Sequence, residues 1–234
     1  MNRPKTTLFM LMSVDGKIST GDTDVMDFDR DLKRITGVKE GLQQYYDLEK
    51  QTDLFSLNTG KVMAKIGVNT RTEKPPRIPC SFVIIDNQPH LTAQGVTYLS
   101  EWVKTLYVVT TNSEHPANKT NHENVVVLPY KGEINFEDLF FRLKNDFGAT
   151  AITIQSGGTL NAMLMRKGLI DELSVVVAPV VVGGKITPSL IDGESLHEQA
   201  ELRFVKALTL LSCNVIRDSY LHLRYEVIKE TILE

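Results

Sequence analysis

The chain has 234 residues, of which 42% are hydrophobic and 24% charged, with 15 glycines, 9 prolines and a formal net charge of −3. That is enough for one α/β domain, which is the organisation expected over residues 1–234, since domains of ~100–200 residues are common and α/β folds exceed that. So small a negative charge gives no broad positive field for nucleic acid or an anionic membrane, and any bound anion needs a local site. The apolar run from Leu8 to Met12 stops at Ser13 and Asp15, too short for a signal region or a membrane span. Cytoplasm is therefore the expected compartment. Cys80 and Cys213 lie far apart beside apolar strand-like residues and read as buried, reduced thiols. The histidines 90, 115, 122, 197 and 222 are scattered, show no metal spacing, and read singly as surface or satisfied side chains.

In chain order, Thr6–Met12 is expected to be a buried strand with Ser13-Val14-Asp15-Gly16-Lys17 as its polar exit. Residues 19–31 are acidic and irregular, suiting a solvated loop and the start of a helix. Leu32–Gln51 is expected to be a helix pair broken near Gly37 and Gly41. Leu54–Leu57 is a short strand, followed by a helical turn around Val62, Met63 and Ile66. Lys74-Pro75-Pro76-Arg77-Ile78-Pro79 is a connector, because proline has no N–H to give a helix or a central strand. Three continuous apolar runs follow, at Phe82–Ile85, Leu106–Val109 and Val125–Leu128, separated by polar loops. Such runs suit strands buried on both faces of a largely parallel sheet.

Asn135 is expected to cap a helix with Phe136, Leu139, Phe140 and Leu143 on one face. Ala151–Ile154 reads as a strand and Thr159–Lys167 as a helix ended by Gly168. The apolar run Leu173–Val182 is broken by Pro179, which marks an edge or a strand end. Phe204–Val215 and Tyr220–Ile228 alternate as an antiparallel hairpin would. Alternating strands and helices with a closing hairpin point to a three-layer α/β sheet.

The sharpest local feature joins a strand to a helix through Gln155-Ser156-Gly157-Gly158-Thr159-Leu160. First-turn N–H groups lack intrahelical partners and sit at the positive end of the helix dipole. Two residues without side chains would let a phosphate reach that backbone. The alternative is a tight turn in which glycine serves conformation alone. A nicotinamide-binding fingerprint of the Rossmann type is not supported, because Val176 and Val177 stand where its acidic residue would fall. The second pair, Gly183-Gly184, reads as a close backbone contact or as a ligand loop.

Four segments taken together carry a resemblance: Ser13-Val14-Asp15-Gly16-Lys17-Ile18, Ser156-Gly157-Gly158-Thr159-Leu160, Gly168-Leu169-Ile170-Asp171-Glu172-Leu173 and Ala178-Pro179-Val180-Val181-Val182-Gly183-Gly184. In this order and spacing they resemble the reductase domain of riboflavin biosynthesis, itself similar to dihydrofolate reductase. The resemblance covers nearly the whole chain, and the deaminase half of the bifunctional enzymes has no counterpart in it. It implies a dihydrofolate reductase-like mixed sheet in three α/β/α layers with a C-terminal antiparallel hairpin. It also implies a homodimer, NADPH as cofactor, and hydride transfer to a pyrimidine- or pterin-like small molecule such as a phosphoribosylamino-pyrimidine.

On that resemblance Gly157, Gly158, Thr159 and Leu160 would hold the NADPH diphosphate, and Leu11 and Met12 would line the nicotinamide. Asn58 and Gly60 would sit at an adjacent strand exit, while Thr110, Thr111 and the Asp86-Asn87 turn are candidates for the adenosine ribose or its phosphate. Asn58 and Ser156 also fall on the substrate side. Ser156 stands where the riboflavin enzymes carry Glu, and Lys61 and Lys65 replace a Thr and an Asp of their ligand site. Those lysines would serve an anionic substrate or the extra phosphate of NADPH, or are surface residues sharing one helical face. Asp15 or Lys17 is the candidate proton donor, with a plain Asp-Gly turn as the alternative. No metal is expected. The other readings are a non-catalytic nucleotide-binding relative, and a transferase or hydrolase using the same helix start.

Overall fold

A computed structural model describes residues 2–233. In chain order the strands are β1 (Lys5–Ser13), β2 (Phe55–Thr59), β3 (Ser81–Ile85), β4 (Leu106–Thr110), β5 (Val125–Pro129), β6 (Ala151–Ile154), β7 (Glu172–Ala178), β8 (Leu208–Val215) and β9 (Leu221–Val227). The α-helices are α1 (Phe28–Asp31), α2 (Gln43–Glu49), α3 (Gly60–Lys65), α4 (Ala93–Trp102), α5 (Phe136–Asn145) and α6 (Gly158–Arg166). The fold is mixed α/β and ends in an antiparallel hairpin. It divides into two compact units, one formed by the residues up to Lys5 with Asp53–Ser156, the other by Thr6–Thr52 with the chain from Gly157 onward.

The first unit holds the strand order β5-β4-β3-β2-β6, with every pairing parallel. All residues of β4 are buried, as a central parallel strand covered on both faces requires. The connector from Lys74 to Pro79 forms no helix or strand. α5 begins where expected: the Asn135 Oδ1 accepts from the N–H groups of Glu137 and Asp138, both at 3.1 Å. Phe136, Leu139, Phe140 and Leu143 form its buried face. One helix was not anticipated. α4 opens on Thr92, whose hydroxyl accepts from Gly95 N–H, and buries Val96, Tyr98 and Leu99 in a core shared with Leu106 and Val108. Its i, i+3 apolar pair at Val96 and Leu99 was the available signal. Gly95 and the β-branched Thr97 weakened it, both being poor helix formers.

The second unit pairs β1 with β7 in parallel, then β7 with β9 and β9 with β8 antiparallel. The predicted helix pair over Leu32–Gln51 is shorter than expected, a 3-10 turn at Leu32–Arg34 and then α2. The stretch keeps its apolar role: Leu32, Val38, Leu42 and Tyr45 join Phe9, Leu11 and Val176 in one core. Pro179 marks a strand end, since β7 stops at Ala178 and has neighbours on both sides. Residues Gln199–Phe204 form a 3-10 helix, so the hairpin starts at Leu208. On α6, Leu164, Ala162 and Met165 are buried while Leu160 and Met163 are half-buried. Neither thiol is buried: Cys80 is half-exposed and Cys213 exposed, and neither is in a disulfide. Cys213 lies on β8, where an apolar-looking run borders no core.

Candidate functional site

The predicted residues fall into two groups, one in each unit. In the second unit, β1 carries buried Leu11 and half-buried Met12 into a tight turn. Ser13 N–H donates to Lys17 C=O at 2.8 Å, and Gly16 supplies a φ of 77°, a value open to glycine without a steric penalty. The Asp15 carboxylate accepts from Ser13 Oγ at 2.6 Å and from the N–H groups of Val182 at 3.1 Å and Gly183 at 2.6 Å. These bonds, the serine's first, lower its pKa to about 2, because donors that satisfy the anion favour the charged form. A carboxylate held so acidic carries no proton at neutral pH, which removes Asp15 as a proton donor. It is an anchor instead: the loop at Gly183 turns the backbone N–H groups of Val182 and Gly183 onto the chain's own anion. Lys17 is likewise engaged, donating to Thr187 C=O at 2.9 Å and Ser189 Oγ at 3.1 Å.

A strap from Thr187 to Asp192 runs beside that turn and the start of α6. Ile18 N–H donates to Pro188 C=O at 3.0 Å and Leu190 N–H to Gly16 C=O at 2.9 Å. Fully buried Asn161 on α6 donates its amide to Leu190 C=O at 2.9 Å, and Asp192 N–H donates to Gly158 C=O at 3.0 Å. The two glycines of the helix start therefore differ. A Cβ on Gly158 would lie 2.2 Å from Ser189 C=O and 2.4 Å from Asp192 Oδ2, so the strap itself explains that glycine. A Cβ on Gly157 would meet nothing within 4 Å. Gly157 is the N-cap of α6, in extended backbone and without a side-chain cap. The open approach to the helix start is at Gly157, flanked by exposed Thr159 and half-buried Leu160. Ser189, Asp192 and Asn161 escaped sequence reasoning. Only Asn161, a polar residue on an apolar helical face, left a trace.

In the first unit the candidates gather at the carboxyl ends of parallel strands, the edge where open α/β sheets bind ligands. Asn58 and Thr59 pair in register with Ile84 and Ile85, and Ile85 with Val109, so Asn58, Gly60, Asp86, Thr110 and Thr111 share one rim. Buried Asn58 accepts from Thr59 N–H at 3.2 Å. Asp86 does not face outward as a ribose ligand would. It is 2% exposed, and its carboxylate accepts from the N–H groups of His90 and Leu91 and bonds the rings of His90 and His115. Thr110 is also inward, donating to Asp86 C=O at 2.8 Å. The exposed part of the rim is Asn87, whose Oδ1 accepts from Thr111 N–H at 3.1 Å. Gly60 is glycine for an internal reason, since a Cβ there would lie 2.2 Å from the Asp86 carboxyl carbon. Lys61 is exposed and Lys65 half-buried on α3, and Ser156 is buried at the end of this unit. Among the described residues no group of three His, Cys, Asp or Glu side chains suits a metal ion.

Residues 4–216 match the sequence profile of the RibD C-terminal domain. The chain belongs to that family. It is 27% identical over 204 residues to 2,5-diamino-6-ribosylamino-4(3H)-pyrimidinone 5′-phosphate reductase of Methanothermobacter thermautotrophicus, an alignment covering 85% of this chain and 88% of that protein. The protein of the same name from Archaeoglobus fulgidus is 24% identical over 219 residues, with 88% and 94% covered. Among solved structures, Acinetobacter baumannii RibD superposes with a TM-score of 0.69 at 17% identity, over 97% of this chain and 59% of the longer one. A pyrimidine reductase-like protein of Corynebacterium diphtheriae gives 0.65 at 15% identity, over 97% and 93%. These superpositions establish the fold, and family membership ties the motifs at Ser13, Gly157 and Gly183 to that fold.

Proposed function

We propose that this family member is an NADPH-dependent reductase acting on a ribosylamino-pyrimidine 5′-phosphate in the cytoplasm. The observation that carries the reading is the family match over residues 4–216, with near end-to-end alignment to proteins named for that reductase activity. The fit of a dinucleotide rests on Gly157, where an uncapped helix start has no neighbour on its Cβ side. Backbone N–H groups there suit a diphosphate. The nicotinamide cofactor, when bound, supplies the hydride. The chain's own part is to orient: half-buried Met12 provides an apolar surface at the end of β1, backed by Leu11 in the core, and Asp15 and Lys17 fix the turn beyond it. Because Asp15 is held ionised, a proton for the product comes from another group or from water.

The test is loss of nicotinamide absorbance when the purified chain meets NADPH and 2,5-diamino-6-ribosylamino-4(3H)-pyrimidinone 5′-phosphate, with the deaminated pyrimidine as a second substrate. Turnover of neither would overturn the reading. NADPH should bind more tightly than NADH. Gly157→Val should weaken NADPH binding at least tenfold, about 1.4 kcal/mol, at an unchanged melting temperature.

We also propose a homodimer through the hairpin. β8 contains no charged residue and has β9 as its neighbour, leaving the other edge open. Leu208, Leu210 and Val215 pair across to Val227, Tyr225 and Leu221 on one apolar face, and Leu210 and Val215 are 53% and 79% exposed. Natural edge strands are usually guarded by charge or proline, and an apolar edge is self-complementary about a two-fold axis. Leu210→Lys should convert the dimer to monomer by light scattering. A wild-type monomer at micromolar concentration would reject the assembly.

A further inference from the structure

The strap that closes one side of the α6 start ends in a carboxylate that no step above uses. Ser13–Ile18, the strap and α6 all belong to the second unit. A Cα–Cβ bond in a helix tilts toward the N-terminus, and a Cβ built on Gly158 would lie 2.4 Å from Asp192 Oδ2. The Asp192 carboxylate therefore sits at the N-terminal end of α6, beside the positive pole that attracts anions. Its two oxygens accept from Ser189 N–H at 3.1 and 3.3 Å, while Lys17 gives its ammonium to Thr187 C=O and Ser189 Oγ. The charge is also held in place. Asp192 N–H is tied to Gly158 C=O, Leu190 N–H to Gly16 C=O, and Leu190 C=O to the Asn161 amide. Gly157, the neighbouring residue, keeps an open Cβ side. An anion that reaches the helix start at Gly157 thus meets a fixed negative charge already beside it. Such a charge ranks anions by how much charge they bring. A terminal phosphate carries roughly 1.5–2 charges near pH 7, and a phosphate esterified on both sides carries about one.

We propose that Asp192 is a specificity-determining residue: its charge admits the singly charged phosphates of a dinucleotide at Gly157 and turns away more highly charged terminal phosphates. The proposal rests on the functional reading above. The proposed substrate ends in such a terminal phosphate, so the same carboxylate keeps substrate off the cofactor's helix start. Asp192→Asn separates charge from structure. The amide oxygen can still accept from Ser189 N–H, and the backbone bond to Gly158 is untouched, so the strap stays and only the charge leaves. The probes are inorganic pyrophosphate, whose phosphates are both terminal, and NADPH, whose diphosphate is esterified at both ends. Each is titrated calorimetrically in metal-free buffer.

Asp192→Asn should bind pyrophosphate about fivefold more tightly than wild type, bind NADPH within about twofold of it, and melt at the same temperature. The pyrophosphate gain should shrink in high salt and disappear when Gly157→Val is added, which places it at the helix start. A merely structural role has the opposite sign: a loosened strap weakens both ligands and lowers the melting temperature. Unchanged or weaker pyrophosphate binding, or an equal gain for both ligands, would overturn the proposal. Failure of the wild type to bind NADPH would instead sink the functional reading, and pyrophosphate binding by Asp192→Asn would still decide the role of Asp192.

Discussion

β4 and β8 look alike in the sequence, as Leu106-Tyr107-Val108-Val109 and Leu208-Thr209-Leu210-Leu211, yet they end in opposite surroundings. Every residue of β4 is buried, with β3 and β5 on either side. In β8 every residue but Ser212 is exposed, and β9 is its neighbour. An apolar strand reports that a surface must be covered. It does not report whether the cover comes from the same chain. For β4 the cover is the α4 core around Val96 and Leu99; for β8 a second copy of the chain is the proposed cover.

The largest effect should come from Leu106→Ala. Removing a fully buried leucine should cost about 2–5 kcal/mol in denaturant unfolding, and a loss under about 1 kcal/mol would show that β4 relaxes as an edge strand does. The turn of the hairpin, between Val215 and Leu221, should come next. Tyr220 is fully buried, and its hydroxyl donates to Val38 C=O at 2.7 Å. Tyr220→Phe should cost about 0.5–1.5 kcal/mol, the net worth of one hydrogen bond, because Val38 C=O keeps the 3.3 Å bond from Gly41 N–H. That cost would separate the anchored turn of the hairpin from its exposed arm. Leu210→Ala, measured on monomer at high dilution, should change stability by less than about 0.5 kcal/mol. A cost like that of Leu106→Ala would mean that β8 is covered within its own chain.

The smallest effect belongs to the exposed anchor at Asp15. Its folded pKa is near 2 against an ordinary 3.8. A depressed carboxylate pKa adds stability above 3.8 that is lost as pH falls toward 2. The stability difference between wild type and Asp15→Asn should therefore be constant from pH 7 to 5 and shrink between pH 4 and 2. It should also weaken with salt, as an exposed charge does. A difference independent of pH would mean that the bonds to Val182 and Gly183 do not form in solution.

The strand series was legible because continuous apolar runs separated by polar loops admit few arrangements. α5 was legible because Asn135 and four apolar residues at helical spacing agree. α4 was lost where Gly95 and Thr97 diluted its periodicity. In the candidate site, the glycines were found but their reasons were not. Gly60 answers to the Asp86 carboxylate and Gly158 to Ser189 and Asp192, contacts between residues 26 to 34 positions apart in the chain. His115 read as an ordinary satisfied histidine, and it is one. What satisfies it, a buried carboxylate 29 positions away, has no sequence periodicity to betray it.

The sequence by itself determined the α/β class, the closing hairpin and the family, because hydrophobic period, turn residues and ordered motifs are local properties. Tertiary structure alone decided that Gly157 rather than Gly158 is open, that Asp15 is an anchor rather than an acid, and that Asp86 turns inward. Each depends on which distant donor or carbonyl arrives at a given atom. Steric exclusion and hydrogen-bond satisfaction act over about 3 Å in space, whatever the separation along the chain.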